Sequence, residues 1–250
     1  MLSSLPRSLR CAALLAMTLL FAACADMSPP LDYTWLVNNP DRMDADRVID
    51  QRRHPEKLLQ FYDVRPGMQV LDISAGRGYN AELLARAVGP TGRVYAQNSP
   101  KIMNEAGREA FDARMKNPVN ANVVHVVRDF NDPVPPEARN LDLVTFNFNY
   151  HDTVWMGVDR AQMNRAIFNS LKKGGFLVLA DHSAKPGAGL EVTKSLHRID
   201  EAVVRREIEA AGFKLVVSAD FLRSPEDTRD IPVSKNLGRN DEFVLKFVKP

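Results

Sequence analysis

Beyond Pro66-Gly67 the chain alternates short apolar runs with amphipathic stretches of helical period. This pattern limits the fold more than any other feature, because it fits a parallel sheet covered by helices on both faces. Strands are predicted at Gln69–Ile73, Arg93–Ala96, Val123–Val127, Leu141–Phe146, Phe176–Ala180 and Lys214–Ser218. Between them, helices are predicted at Ala81–Val88, Lys101–Met115, Arg160–Leu171 and Ile199–Ala211, the last closed by Gly212. The stretch Asp241–Pro250 alternates apolar and polar residues and follows a strand with no helix long enough for a parallel crossover, so an antiparallel last strand is expected. Phe221 to Arg239, rich in Asp, Pro, Ser and Asn, reads as a long loop at the sheet edge. The fold class that follows is α/β, a doubly wound Rossmann-like sheet.

The first strand runs through Val70-Leu71-Asp72-Ile73 into Ser74-Ala75-Gly76-Arg77-Gly78-Tyr79 and then a helix. Gly76 and Gly78 allow a backbone to approach a ligand closely, and in a doubly wound sheet ligands bind beyond the carboxyl ends of the strands. Tight strand-to-helix packing is the other use of such a turn. The segment resembles motif I of the class I S-adenosylmethionine-dependent methyltransferases, with Asp72, Gly76 and Gly78 matching and Ser74 standing for the usual first glycine.

The similarity extends from Arg65 to Pro250 through the order of elements, including Leu171-Lys172-Lys173-Gly174-Gly175 before the fifth strand and Ala210-Ala211-Gly212-Phe213 before the sixth. It implies a seven-stranded sheet with an antiparallel last strand and S-adenosylmethionine as cofactor. More narrowly, Gly92-Arg93-Val94-Tyr95-Ala96 and Asn149-Tyr150-His151-Asp152 resemble a group of predicted exported bacterial methyltransferases. By the resemblance, Asp72, Ser74, Gly76 and Gly78 hold the amino-acid and ribose side of the cofactor. Gln97 and Asn98 stand where the family usually has an acid for the ribose hydroxyls, and Asp129 where it often has one near the adenine. Asp129 before Asn131-Asp132-Pro133 also suits a loop-capping role.

The fourth strand ends in Phe146-Asn147-Phe148-Asn149-Tyr150-His151-Asp152, at the edge where a methyl acceptor would sit. His151 can take a proton from an acceptor oxygen or nitrogen, and Asn147 and Tyr150 are candidates beside it. Methyl transfer mainly needs the donor carbon and acceptor in line, so a general base is optional. Asp181-His182 and His197-Arg198 can complete a polar pocket. The types of His151, Asp152, Asp181 and His182 are those a metal takes, but nothing in their spacing demands one, and no metal is assigned. Trp155 and Met156 read as core or lid packing.

Arg7 and Arg10, the apolar run Cys11 to Phe21 and the small residues Ala22-Ala23-Cys24-Ala25 form an export signal over residues 1–25. The run is shorter than a permanent span needs. Leu20–Cys24 resembles a lipoprotein box with Phe21 in place of leucine, whereas Ala23-Cys24-Ala25 suits ordinary cleavage. A bacterial periplasmic location is expected, with the membrane reached only through a lipid on Cys24. Residues 26–64 divide into a tether, Met27 to Pro40, and a helical extension, Asp44 to Tyr62, interrupted by Pro55; residues 65–250 form the main domain. Losing Arg7 and Arg10 balances 33 basic against 31 acidic residues, which gives no electrostatic reason to expect a nucleic acid partner. With both cysteines in the signal region, Cys11 and Cys24, the domain has no internal disulfide.

Methyl transfer from S-adenosylmethionine to a small or medium acceptor is the reading these features favour. A noncatalytic envelope protein that kept the fold is the alternative. A nicotinamide oxidoreductase fits the glycine turn but not the antiparallel last strand.

Overall fold

The computed structural model describes residues 31–236 and 238–250. The signal segment, Cys24 and the start of the tether therefore lie outside the described residues. Helix α1 (Tyr33–Val37) begins where the Asp32 side chain accepts a hydrogen bond from the Trp35 amide at 2.9 Å. Its Leu36 and Val37 are buried in the core, so residues 31–40, expected as tether, are packed structure. The Asn and Pro content of this stretch hid one cap and one apolar pair.

The helix expected from Asp44 to Tyr62 is two helices, α2 (Asp44–Arg53) and α3 (Pro55–Tyr62). His54 joins them in the left-handed region (φ 45°), and Pro55 occupies the first turn of α3, where its missing N–H costs nothing. Leu31 to Pro250 form one compact unit, so the helical extension shares the core of the sheet domain.

The remaining elements follow in order: β1 (Gln69–Ile73), α4 (Tyr79–Val88), β2 (Arg93–Asn98), α5 (Glu105–Met115), β3 (Val123–Val127), β4 (Leu141–Asn147), α6 (Tyr150–Trp155), α7 (Arg160–Ser170), β5 (Leu171–His182), α8 (Thr193–Leu196), α9 (Glu201–Ala210), β6 (Lys214–Ala219) and β7 (Glu242–Val248). Two helices start later than predicted because of their caps. Asn104 accepts from Gly107 N at 2.8 Å to open α5, and Asp200 accepts from Ala202 N at 3.0 Å to open α9. β5 starts earlier than predicted, pairing Leu171 with Leu141 before a register shift.

The sheet has seven strands in the order β3-β2-β1-β4-β5-β7-β6. β1 to β5 are mutually parallel, while β7 runs antiparallel to both β5 and β6 and lies between them. The chain reverses direction across the sheet between β1 and β4, which makes their carboxyl ends the crevice of the fold.

Side chains alternate between two apolar layers with the period of two that strands impose. Val70, Leu143, Val178 and Val244 face one layer with α1, α3 and α4. Leu71, Val144, Leu177 and Leu245 face the other with α7 and α9. By the same alternation, Asp72 and Thr145 belong to the first face. A β-carbon at Gly92 would lie 2.5 Å from Val88 Cβ and 2.8 Å from Met68 O. Gly92→Ala is therefore expected to cost about 1–3 kcal/mol through overpacking, read as a lowered urea midpoint.

A buried charge network ties α2 to the domain. Arg114 of α5 donates to both oxygens of Asp46 (2.6 and 2.7 Å), to Glu82 Oε2 (2.8 Å) and to the carbonyl of Arg77 (2.9 Å). Arg42 pairs with Asp50 at 2.7 Å, and Tyr79 donates its hydroxyl to the same carboxylate at 2.6 Å.

Candidate active site

At the end of β1, Asp72 is buried, and its Oδ1 accepts from Asn80 Nδ2 (2.8 Å) and Thr145 Oγ1 (2.7 Å). Its Oδ2 is buried with no hydrogen-bond partner. Burial pushes the carboxyl up to about 6, against the opposing pull of Thr145, Asn80 and the Arg53 charge. A buried acid with an unpartnered oxygen costs stability unless a hydrogen-bond donor or a cation meets it.

Asp72 lines a cavity of about 220 Å³ together with Arg53, Ser74, Gly76, Asn147 and Asn149 among others. Two clefts of about 400 Å³ each lie elsewhere, one along Gly89–Arg93 and one along α2 and α3. The smaller cavity sits at the sheet crevice and contains the vacant acid. Arg53 reaches it from the end of α2, with its guanidinium carbon 4.8 Å from the Phe148 ring centre and 5.3 Å from that of Tyr79. Among the described residues Arg53 forms no salt bridge, and burial lowers its affinity for its proton. One wall thus carries a carboxyl and a guanidinium that feel each other's charge but form no salt bridge with one another.

The turn after β1 is left-handed at Ser74 (φ 59°), Gly76 (φ 58°) and Gly78 (φ 85°). Gly78 serves packing, since a β-carbon there would stand 2.9 Å from Arg114 Cδ. Gly76 has open space beside it, its nearest neighbour being 4.0 Å away, so this is the point of close backbone approach.

Gln97 and Asn98, expected to meet ribose, turn their amides onto this loop. Gln97 Oε1 accepts from Ser74 N (3.0 Å) while its Nε2 donates to Arg128 O (2.7 Å). Asn98 Oδ1 accepts from Gly76 N (2.7 Å), and its Nδ2 donates to Gly76 O (3.2 Å). They hold a loop that serine at a glycine position would otherwise strain. Asp129 pairs with Lys101 at 2.7 Å, which holds its carboxyl below the usual range, and accepts from Asn131 N at 3.0 Å, the loop-capping arrangement.

On the β4 side, Asn147 lines the cavity. It donates to the Tyr62 hydroxyl at 2.8 Å and keeps Oδ1 buried without a partner. Tyr150 is not brought to the cavity. Its ring lies in the opposite apolar layer, and its hydroxyl donates to Glu207 and accepts from Asn164, both at 2.8 Å. As the first residue of α6 it follows the helical period inward. Phe148 takes a left-handed conformation (φ 60°) that aims its neighbours Asn147 and Asn149 at the cavity.

His151 is buried, with Nδ1 2.7 Å from Asp181 Oδ1 and Nε2 3.2 Å from Asp152 Oδ1. Burial disfavours the charged ring, but Asp181 and Asp152 outweigh it and push the imidazole up to about 10. Such a ring favours its protonated form, which works against the role of base that the sequence suggested. His197 Nδ1 joins the cluster 3.2 Å from Asp152 Oδ1. His182 lies instead beside Glu242, at 3.0 Å, and Arg198, fully buried, ties the 221–239 loop through Asp227 at 2.8 Å. Trp155 is exposed and donates to Asp152 at 2.9 Å, so it is not core.

The family model for protein-L-isoaspartate(D-aspartate) O-methyltransferase matches residues 29–185, well over half of the chain. The chain belongs to this methyltransferase family. It is 25% identical over 176 residues to the protein-L-isoaspartate O-methyltransferase of Ignicoccus hospitalis, covering 70% of this chain and 75% of that one. With the Aeropyrum pernix enzyme of the same name it shares 45% identity over 56 residues, which is 22% of each protein. In three dimensions it is similar to a SAM dependent methyltransferase from Aquifex aeolicus (TM-score 0.59, 18% identity, covering 84% of this chain and all of that one). The methyltransferase fold and its cofactor, S-adenosylmethionine, are thus established for the family. In this member Arg53 and Asn80 line the cavity and Tyr62 holds Asn147 beside it without having been marked by sequence, because Arg53 and Tyr62 lie on helices that precede the motif-bearing strand.

Proposed function

We propose that the protein transfers a methyl group from S-adenosylmethionine to a small or medium polar acceptor. The observation that carries this reading is the pairing, in one cavity, of the vacant Asp72 Oδ2 with the unpaired Arg53 guanidinium. The amino-acid end of the cofactor is a zwitterion, and it offers each residue a direct partner of opposite charge. Asp72 would hold the ammonium and Arg53 the carboxylate, with Gly76 giving backbone access. When bound, the cofactor supplies an electrophilic methyl carried on a positive sulfur. The ribose hydroxyls meet no free acid at the end of β2, since Gln97 and Asn98 are engaged with the turn.

The chain's own part is to exclude water, hold the donor and present the acceptor in line, which alone supplies much of the catalysis. Asn147 Oδ1, buried and unpartnered, is placed to accept a hydrogen bond from a ligand. The family match ends at residue 185, whereas the polar edge beside the cavity also uses His197. For that reason an isoaspartyl carboxyl is kept as one acceptor to test rather than assigned. Export is part of the proposal, supported by Arg7, Arg10, the apolar run and Cys24, with likeness to exported bacterial methyltransferases; mass spectrometry of the mature N-terminus tests it.

Calorimetric titration with S-adenosylmethionine and with its demethylated product should give saturable binding. Arg53→Gln is expected to weaken it about 10- to 100-fold, the worth of a charge-assisted hydrogen bond. Absence of binding by folded protein would replace the enzyme with a noncatalytic relative. Equal affinity in Arg53→Gln would remove that residue from the site.

A further inference from the structure

Three ligand atoms meet beside the cavity with nothing between them. His151 Nε2 lies 3.3 Å from His197 Nδ1 and 3.2 Å from Asp152 Oδ1, and the last two are 3.2 Å apart. Ligands at about 2.0–2.2 Å from a small divalent ion stand about 3.0–3.4 Å from one another, across an octahedral face or a tetrahedral edge. The triangle has that size on every side.

Each corner is also held as a ligand would be. His151 directs Nδ1 at Asp181 Oδ1 (2.7 Å), and this fixes the ring with Nε2 toward the centre. Asp181 is itself fixed, accepting from the His151 and His182 amides at 2.8 Å each. Asp152 accepts from Asn149 Nδ2 on Oδ2 at 2.7 Å and from Trp155 Nε1 on Oδ1 at 2.9 Å, and with the carboxylate held by these two donors Oδ1 is the oxygen that faces the two rings. His197 is the left-handed C-cap of α8 (φ 53°), which fixes its backbone next to the other two side chains. His151 is buried, whereas the His197 side chain is 42% exposed, so one side of the triangle is open to solvent.

We infer that His151, Asp152 and His197 form a binding site for one divalent first-row transition ion. Two imidazoles and a carboxylate favour zinc, iron, cobalt or manganese over magnesium or calcium, which take oxygen ligands. Asn149 links the site to the cavity, since its Oδ1 accepts from Ser74 Oγ at 3.0 Å while its amide holds Asp152. An ion with open positions here would fix a polar acceptor one side chain away from the glycine turn. The site stands apart from the cofactor reading, because the metal alone is its probe.

Untagged full-length protein, stripped with chelator and desalted, should bind one equivalent of Co²⁺ with a visible absorption band, and Zn²⁺ should displace it. His197→Ala and Asp152→Asn should each weaken binding at least about 100-fold, and Asp181→Asn about 10- to 100-fold, as loss of an outer partner does. His197 is partly exposed, so its variant keeps the proposal testable if a buried one unfolds. His54→Ala, remote from the cluster, should leave affinity unchanged. No band and no retained metal at 100-fold excess, or binding indifferent to His197→Ala, would overturn the site and leave protons alone holding the two rings to Asp152.

Discussion

Asp72→Asn should make the protein more stable at pH 8 and weaken its hold on the cofactor. In the folded chain burial raises this carboxyl from its usual 3.8 to about 6. A raised acid binds its proton more tightly folded than unfolded, so stability is greatest below the unfolded value. It is lost as pH climbs from about 4 to 6, and the deficit persists above. Two pH units correspond to about 3 kcal/mol. An amide escapes that penalty while keeping an oxygen for Asn80 and Thr145. Urea midpoints should therefore separate at pH 8 and converge at pH 4, and affinity for S-adenosylmethionine should fall about 100-fold from the lost ion pair. Identical midpoints at pH 8 would mean that the acid is not strained. Retained affinity would place the amino group elsewhere.

Arg114→Met should be the most damaging single change outside the cavity. It leaves the Asp46 and Glu82 carboxylates, each 2% exposed, without the guanidinium they share. Breaking a buried ion pair from one side costs about 3–5 kcal/mol, a large fraction of an ordinary domain's stability. Arg86 still reaches Glu82 at 2.8 Å, so most of the loss falls on Asp46. Adding Asp46→Asn to Arg114→Met should then restore part of the stability in a double-mutant cycle, whereas a loss below about 1 kcal/mol in the single variant would show the network to be solvated. Because Arg114 also donates to the Arg77 carbonyl, the surviving folded protein should bind its cofactor less well.

Periodicity made the sheet legible. Gln69–Ile73 and Val123–Val127 were readable to the residue because their apolar runs are bounded by turn residues, and Asp241–Pro250 showed its antiparallel sense by lacking a crossover. The position of Asp72 and Gly76 at the crevice was readable because it is set within one strand and turn. Arg53 was not, since α2 reaches the cavity only through contacts with residues far along the chain. Nor was the use of Gln97 and Asn98, because only the three-dimensional register shows their amides bracing the turn rather than facing a ligand. Tyr150 and His151 are adjacent in sequence but point to different surroundings, as the rotation of about 100° per residue in a helix allows. The clustering of His197 with His151 spans 46 residues, a distance over which no sequence spacing carries information.

The insertion of β7 between β5 and β6 also bears on how the chain is made. Synthesis delivers β6 well before Glu242, so β6 emerges with no neighbour to pair with, and β5 keeps one bare margin meanwhile. Until β7 has left the ribosome, the margins of β5 and β6 that it will cover offer unpaired amides and carbonyls to other nascent chains. A stall between the two strands would thus be more hazardous than one earlier in the chain, and chaperone demand should peak over that interval.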